Sequence, residues 1–304
     1  MKKQKNARLG EMNPKVDYAF KLIFGNKEYP EITKSLLNSI ISLPDGQKIA
    51  DVTIANPNID RRYKDDKYSI MDIFAVTNNN ILINIEMQMI NRDDMIPRTL
   101  HYMSRIIAGQ LKSGKNYSSL KQTICINFVD FDLFDGNKYA HNEFSYRTAR
   151  GDLLTNLSQI HFIELPKAEK GGIIENEMLQ KWVKFINNPS SEEVKMFSSE
   201  YLEIGEAKKI LSIARLKNKI RDMYYAREDA RREKASWEEH KKNFVKNLIE
   251  KETKKVLDQG IAEGREQGSH SAKLETARNF LQMGLSKEQV AQGTGLSLEE
   301  IQKL

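Results

Sequence analysis

Apolar residues recur along the first half of the chain with two different periods, and the switches between them mark out the elements. Val16, Phe20, Ile23 and Phe24 repeat at helical spacing. Asn13-Pro14 predicts where that helix starts, because proline's missing N–H costs little in a first turn, and Gly25 predicts its end. Ile32, Leu36, Leu37, Ile40 and Ile41 predict a second helix over 31–41, halted by the turn sequence Leu43-Pro44-Asp45-Gly46. Residues 49–54 then read as a short strand, and 56–67 as a polar connection.

Between 69 and 89 the period falls to two. Two runs rich in Ile, Val and Phe flank Asn78-Asn79-Asn80, a strand–turn–strand signal. Asparagine tolerates left-handed backbone angles, so a three-residue loop is expected to close on Thr77 and Ile81. Counting outward from that pair sets Asp72 opposite Glu86 on one face, with Asn84 and Gln88 on the same face. A loop one residue shorter would separate them, because side chains alternate with period two. Like charges directly opposite on a sheet destabilise it, and a bridging cation would remove that cost. Two carboxylates with no neighbouring His or Cys favour Mg²⁺ or Mn²⁺ over Zn²⁺. The competing reading is a solvated face on a one-sided sheet.

Asn91–Asp94 then cap a long helix from about Met95 to Leu111, with Pro97 in its first turn. Arg98, Tyr102 and Arg105 recur along one side of it, where they either contact phosphate and sugar or lay their stems along the surface. Residues 123–131 form a near-continuous apolar run, the pattern of a strand buried on both faces, and 142–147 and 159–165 are two further strand candidates. The order helix, helix, strand, hairpin, helix, strands predicts an α/β (α+β) domain with a central mixed sheet over residues 1–170.

From about Gly172 the pattern is helical throughout. Residues 208–255 hold 16 Lys and Arg against 8 Asp and Glu. Within this charged helical region, 171–259, the stretch 226–255 reads as solvated or partner-bridging, with a DNA-backbone contact arm as the alternative. Gly260, Gly264 and Gly268 suggest a flexible or self-associating linker at the head of a small helical module, 260–304, so a homo-oligomer formed through the C-terminal region is an expectation. Ser286 with Gln289 and Ser297 with Glu300 fit capping boxes. The piece 289–304 superficially resembles a helix-turn-helix. Its second helix is short and acidic, which favours packing on protein over reading a major groove.

Composition changes this picture little. The 304 residues are 30% charged with a net charge of +6, a pI near 9.1 and a mean hydropathy of -0.60. An acidic partner such as nucleic acid fits that balance. Cys125 is the only cysteine, which excludes a disulfide framework or thiolate cluster and suits a reducing, cytoplasmic setting; it reads as a small core residue. No run approaches the apolar length of a membrane span, and the basic first residues lack the apolar stretch of a signal peptide.

Taken together, Asp17-Tyr-Ala-Phe-Lys-Leu-Ile-Phe-Gly25, Met71-Asp72-Ile73 and Ile85-Glu86-Met87-Gln88 resemble the Rpn (recombination-promoting nuclease) family, described also as transposases, within the PD-(D/E)XK nuclease superfamily. Arg98 with Tyr102, Gly114 with Tyr117, Phe131-Asp132-Leu133-Phe134 and His161-Phe-Ile-Glu-Leu165 extend the likeness, and their order and spacing carry it more than any one motif. The resemblance implies a restriction-endonuclease-like core that cuts DNA with a divalent metal, Mg²⁺ or Mn²⁺.

Carried over by position, Asp72 and Glu86 would be metal ligands, with the Met87 carbonyl completing the shell. Gln88 stands where the superfamily has lysine and would orient a water, which leaves the charge-stabilising cation to Lys21 or Arg98. Asp17 resembles the acidic residue that the superfamily's first helix often brings near the metal. Arg98, Tyr102 and Arg105 would touch DNA. No three-carboxylate transposase arrangement is visible, so strand transfer is not implied. A DNA-binding recombination accessory with a degenerate site, and a helical self-assembly protein, are the alternatives.

Overall fold

A computed structural model describes residues 12–55, 58–59, 69–70, 72–111, 114 and 116–304. The expected basic tail and most of the polar connection lie outside these residues. The chain divides into two compact units, through Arg232 and from Glu233.

In the first unit, helices α1 (Asp17–Phe24) and α2 (Pro30–Ile40) precede strand β1 (Val52–Ala55) and the short strands β2 (Asn58–Ile59) and β3 (Ser69–Ile70). The hairpin β4 (Ile73–Thr77) and β5 (Leu82–Gln88) leads into α3 (Met95–Gln110), then β6 (Thr123–Val129), β7 (His141–Ser145) and β8 (Ser158–Glu164). Helices α4 (Leu165–Glu169), α5 (Glu177–Asn187), α6 (Glu192–Glu200) and α7 (Leu202–Leu216) follow, and α8 (Asn218–Gln282) begins in this unit. The central sheet has the order β1-β4-β5-β6-β8-β7. Strands β5, β6 and β8 are parallel, while β1, β4 and β7 pair antiparallel to their neighbours. The mixed six-stranded sheet flanked by helices is the expected α/β class.

One face carries the main core. Ile83, Ile85, Ile124, Ile126 and Phe128 meet Phe20, Ile23, Leu36 and Trp182 there, with Phe20 against Phe128 and Trp182 edge-on to Phe24. Tyr224, in the first turns of α8, closes this core and accepts the Asn13 N–H at 2.8 Å. The other face carries Asn84, Glu86 and Asn127 and lies under α3, whose Thr99 hydroxyl donates to the Asn127 side chain at 3.0 Å. Every residue of β6 is buried, including Cys125.

Element ends differ from expectation where side chains take over backbone bonds. Helix α1 starts at Asp17 rather than Asn13, because the Asn13 side chain accepts the Lys15 N–H at 2.9 Å and turns the chain first. The strand expected from 49 starts at Val52, since Asn38 bonds both the N–H and the carbonyl of Ile49. Strand β6 ends two residues short of Phe131.

The second unit holds the rest of α8 with α9 (Lys287–Thr294) and α10 (Leu298–Gln302), around Ala277, Val290, Leu296 and Ile301. The stretch expected as a linker is helical, since Gly260, Gly264 and Gly268 all lie within α8. Each glycine costs roughly 1 kcal/mol against alanine, and helix-favouring residues such as Arg265, Glu266 and Gln267 stand between them. Both predicted capping boxes are present.

Candidate active site

The hairpin closes as its loop dictates. Asn80 has φ 57, the Thr77 N–H reaches the Ile81 carbonyl at 3.1 Å, and Ile73 faces Ile85. Asp72 occupies a bend one residue before β4 rather than the strand itself. Continuing the register by one step places it opposite Glu86. The pair is stitched through the backbone: Glu86 Oε1 accepts the Asp72 N–H at 3.2 Å, and Asp72 Oδ2 accepts the Met87 N–H at 3.0 Å.

The two carboxylates live in different surroundings. Glu86 is only 5% exposed. Burial, and then the negative charge of Asp72, push its pKa up to about 8, against the Asp72 N–H and the Arg98 guanidinium. At about 1.4 kcal/mol per unit, ionising Glu86 without a counter-charge costs several kcal/mol. Asn84 lies two positions earlier on this face, buried, with neither amide atom hydrogen-bonded among the described residues. Asp72 sits at the rim, where Lys21 Nζ of α1 approaches Oδ1 at 2.9 Å.

Gln88 and Arg98 are brought together. Arg98 Nη2, from the first turn of α3, donates to Gln88 Oε1 at 2.7 Å, and Gln88 Nε2 donates to the Ile90 carbonyl at 2.8 Å. Tyr102, one turn further along α3, is half-buried; burial and then the charge of Glu86 raise its pKa. Arg105, the next along that side, is also half-buried. Asp17 is directed elsewhere, with Oδ2 facing Arg227 Nη1 of α8 at 3.7 Å.

The donor set suits a hard divalent cation: two carboxylates with hard oxygen ligands, one of them buried and short of positive charge. Asp72, Glu86 and the Met87 carbonyl are the groups that would hold it. Among the described residues no three His, Cys, Asp or Glu side chains converge as metal ligands.

Two further carboxylates, Asp130 and Glu164, received no role from the sequence. The Asp130 N–H donates to the Gln88 carbonyl at 2.9 Å, and its side chain pairs with Lys15 at 2.8 Å, fixing the ends of β5 and β6 beside the carboxylates. Glu164 is fully buried and accepts the N–H groups of Leu133 and Phe134 and the ammonium of Lys167. A charged residue closing a mostly buried strand is the signal available for both.

Comparison with known proteins bears on this geometry. Residues 14–241 match the family model described as PD-(D/E)XK nuclease family transposase. Residues 270–304 match that of the Rpn/YhgA-like nuclease family, C-terminal HTH domain. The second match covers the end of α8 with α9 and α10, the stretch whose likeness to a helix-turn-helix is visible in the sequence. No curated protein and no solved structure matches the chain. No helix among the described residues is long and apolar enough to cross a membrane.

Proposed function

Because the chain belongs to the PD-(D/E)XK nuclease family transposases, with the C-terminal domain of the Rpn/YhgA-like nucleases, we propose that it is a divalent-metal-dependent DNA endonuclease acting in recombination or on mobile elements. The observation that carries the reading is the register-locked pair Asp72 and Glu86, one of them buried at an energetic cost that a cation would lift. Mg²⁺ or Mn²⁺ held by Asp72, Glu86 and the Met87 carbonyl would acidify a water and offset charge on the phosphate. The backbone N–H groups of Asp72 and Met87 hold both carboxylates in place, so little side-chain reorganisation accompanies binding. Lys21 supplies Asp72 with positive charge at the rim, and the side of α3 bearing Arg98, Tyr102 and Arg105 is the surface offered to the DNA backbone. The helix-turn-helix domain adds a second DNA contact.

Nicking of supercoiled plasmid tests the reading. Wild type is expected to relax the plasmid with Mg²⁺ or Mn²⁺ and not with chelator, and Asp72→Ala is expected to leave it intact. Gln88 in the superfamily's lysine position favours a second reading, a DNA-binding accessory with a degenerate site. That reading expects both proteins to bind the plasmid and neither to cut it.

A further inference from the structure

The lysine missing from position 88 leaves open which positive group faces the phosphate, and the geometry of one side chain answers it. Gln88 is engaged at both ends: its amide nitrogen donates to the Ile90 carbonyl at 2.8 Å, and its amide oxygen accepts from Arg98 at 2.7 Å. Only the nitrogen can donate to a carbonyl and only the oxygen can accept from a guanidinium, so the orientation of the amide is fixed. The amide oxygen that would accept from a water already accepts from Arg98, and the amide nitrogen is turned to Ile90.

We propose that Arg98 is the catalytic cation of this site, and that Gln88 is the positioning residue that holds the guanidinium beside the carboxylate pair. The inference rests on the nuclease reading above. Arg98 Nη2 also meets Met95 Sδ at 3.1 Å, and Nε is buried with no hydrogen-bond partner among the described residues. A guanidinium has five N–H donors in a planar fork that matches phosphate oxygens, and the bond to Gln88 uses only one of them. Gln88 follows Glu86 by two residues on the same face of β5, so a guanidinium held on its amide oxygen stands next to the pair. In hydrolysis a water oxygen bonds to phosphorus as the P–O bond to one sugar breaks. One water proton passes to solvent, and the departing sugar oxygen takes up another. The negative charge that builds on the non-bridging oxygens is what Arg98 offsets.

Single-turnover cleavage of a short duplex, with binding measured separately in chelator, tests the assignment. Arg98→Met is expected to slow cleavage by about 10²–10³-fold, the usual effect of removing one preorganised donor. Without metal, the slope of log affinity against log salt should become shallower by about 1, as for one lost phosphate contact. Gln88→Glu separates the two roles of position 88. A carboxylate still holds Arg98 but neutralises it, so cleavage should fall at least about tenfold; a residue that merely orients water would keep its rate. Gln88→Lys combined with Arg98→Met puts a cation back and should recover most of the lost rate. Should Arg98→Met lose its fold by circular dichroism, the isosteric Gln88→Glu decides alone. Wild-type rates in Arg98→Met or in Gln88→Glu, with Asp72→Ala inactive, would overturn the inference and leave the nuclease reading standing. Cleavage that survives Asp72→Ala would remove the nuclease reading itself.

Discussion

Asp72 and Glu86 hold one another through the backbone: Glu86 accepts the Asp72 N–H at 3.2 Å, and Asp72 accepts the Met87 N–H at 3.0 Å. The hairpin register brings the two residues opposite one another, and these bonds hold both side chains in one orientation. The arrangement resembles a preorganised binding site more than a surface ion pair. Its cost falls on Glu86, which is buried beside a like charge.

That cost predicts a trade between stability and activity. Glu86→Gln keeps the side-chain shape and removes the buried charge. At pH 8 without divalent metal, the variant should melt several degrees above wild type, since about 1 kcal/mol shifts the midpoint of a domain this size by roughly 2–4 °C. It should also fail to nick plasmid. A lower melting temperature would mean that the carboxylate is compensated by groups other than a cation.

Proton linkage gives a second expectation. The Glu86 pKa is pushed up to about 8, above the roughly 4.3 of an unfolded glutamate. In metal-free protein its contribution is complete below the unfolded value and is lost as pH rises through about 8. His161, stacked on His141, has its pKa pushed down to about 3 by burial and then by His141. Its contribution is complete above an unfolded value of about 6.5 and is lost as pH falls toward about 3. The two trends oppose between about 4.5 and 6.5, so the metal-free melting temperature should fall on either side of that window. Because a cation competes with the Glu86 proton, Mn²⁺ should raise the melting temperature more at pH 8 than at pH 5.5. Scanning fluorimetry at the two pH values checks this; equal shifts would place the bound ion away from Glu86.

Asp17 gives a contrasting prediction. Its carboxylate faces Arg227 across 3.7 Å, a partly exposed pair whose loss costs at most about 1 kcal/mol. Asp17→Asn should therefore cleave within about threefold of wild type while melting slightly lower. A loss as large as that of Asp72→Ala would return Asp17 to the metal site.

Much of the site was legible because its information is local. Three asparagines set a loop length, the loop set a register, and the register set Asp72 against Glu86. Contacts between distant elements left no such trace. That Gln88 receives Arg98 depends on how α3 packs over β5, and that Asp17 turns to Arg227 depends on where the start of α8 meets α1. Gly260, Gly264 and Gly268 lie in a helix despite their low propensity, because the propensity of single residues is a weak prior and the residues around them favour helix.

The C-terminal domain should contribute affinity rather than chemistry. Its core of Ala277, Val290, Leu296 and Ile301 is a separate cluster, so removing 270–304 should leave the melting of the first unit unchanged. Fluorescence anisotropy should show weaker binding of a DNA duplex, with residual Mn²⁺-dependent nicking at high protein concentration. Unchanged affinity would assign DNA binding to the first unit alone.

The central claim is that Asp72 and Glu86 share a divalent cation, and anomalous diffraction from crystals soaked in Mn²⁺ tests it most directly. The account predicts a peak within about 2.0–2.6 Å of an oxygen from each carboxylate. No peak there, or one coordinated by only one of the two, would contradict it.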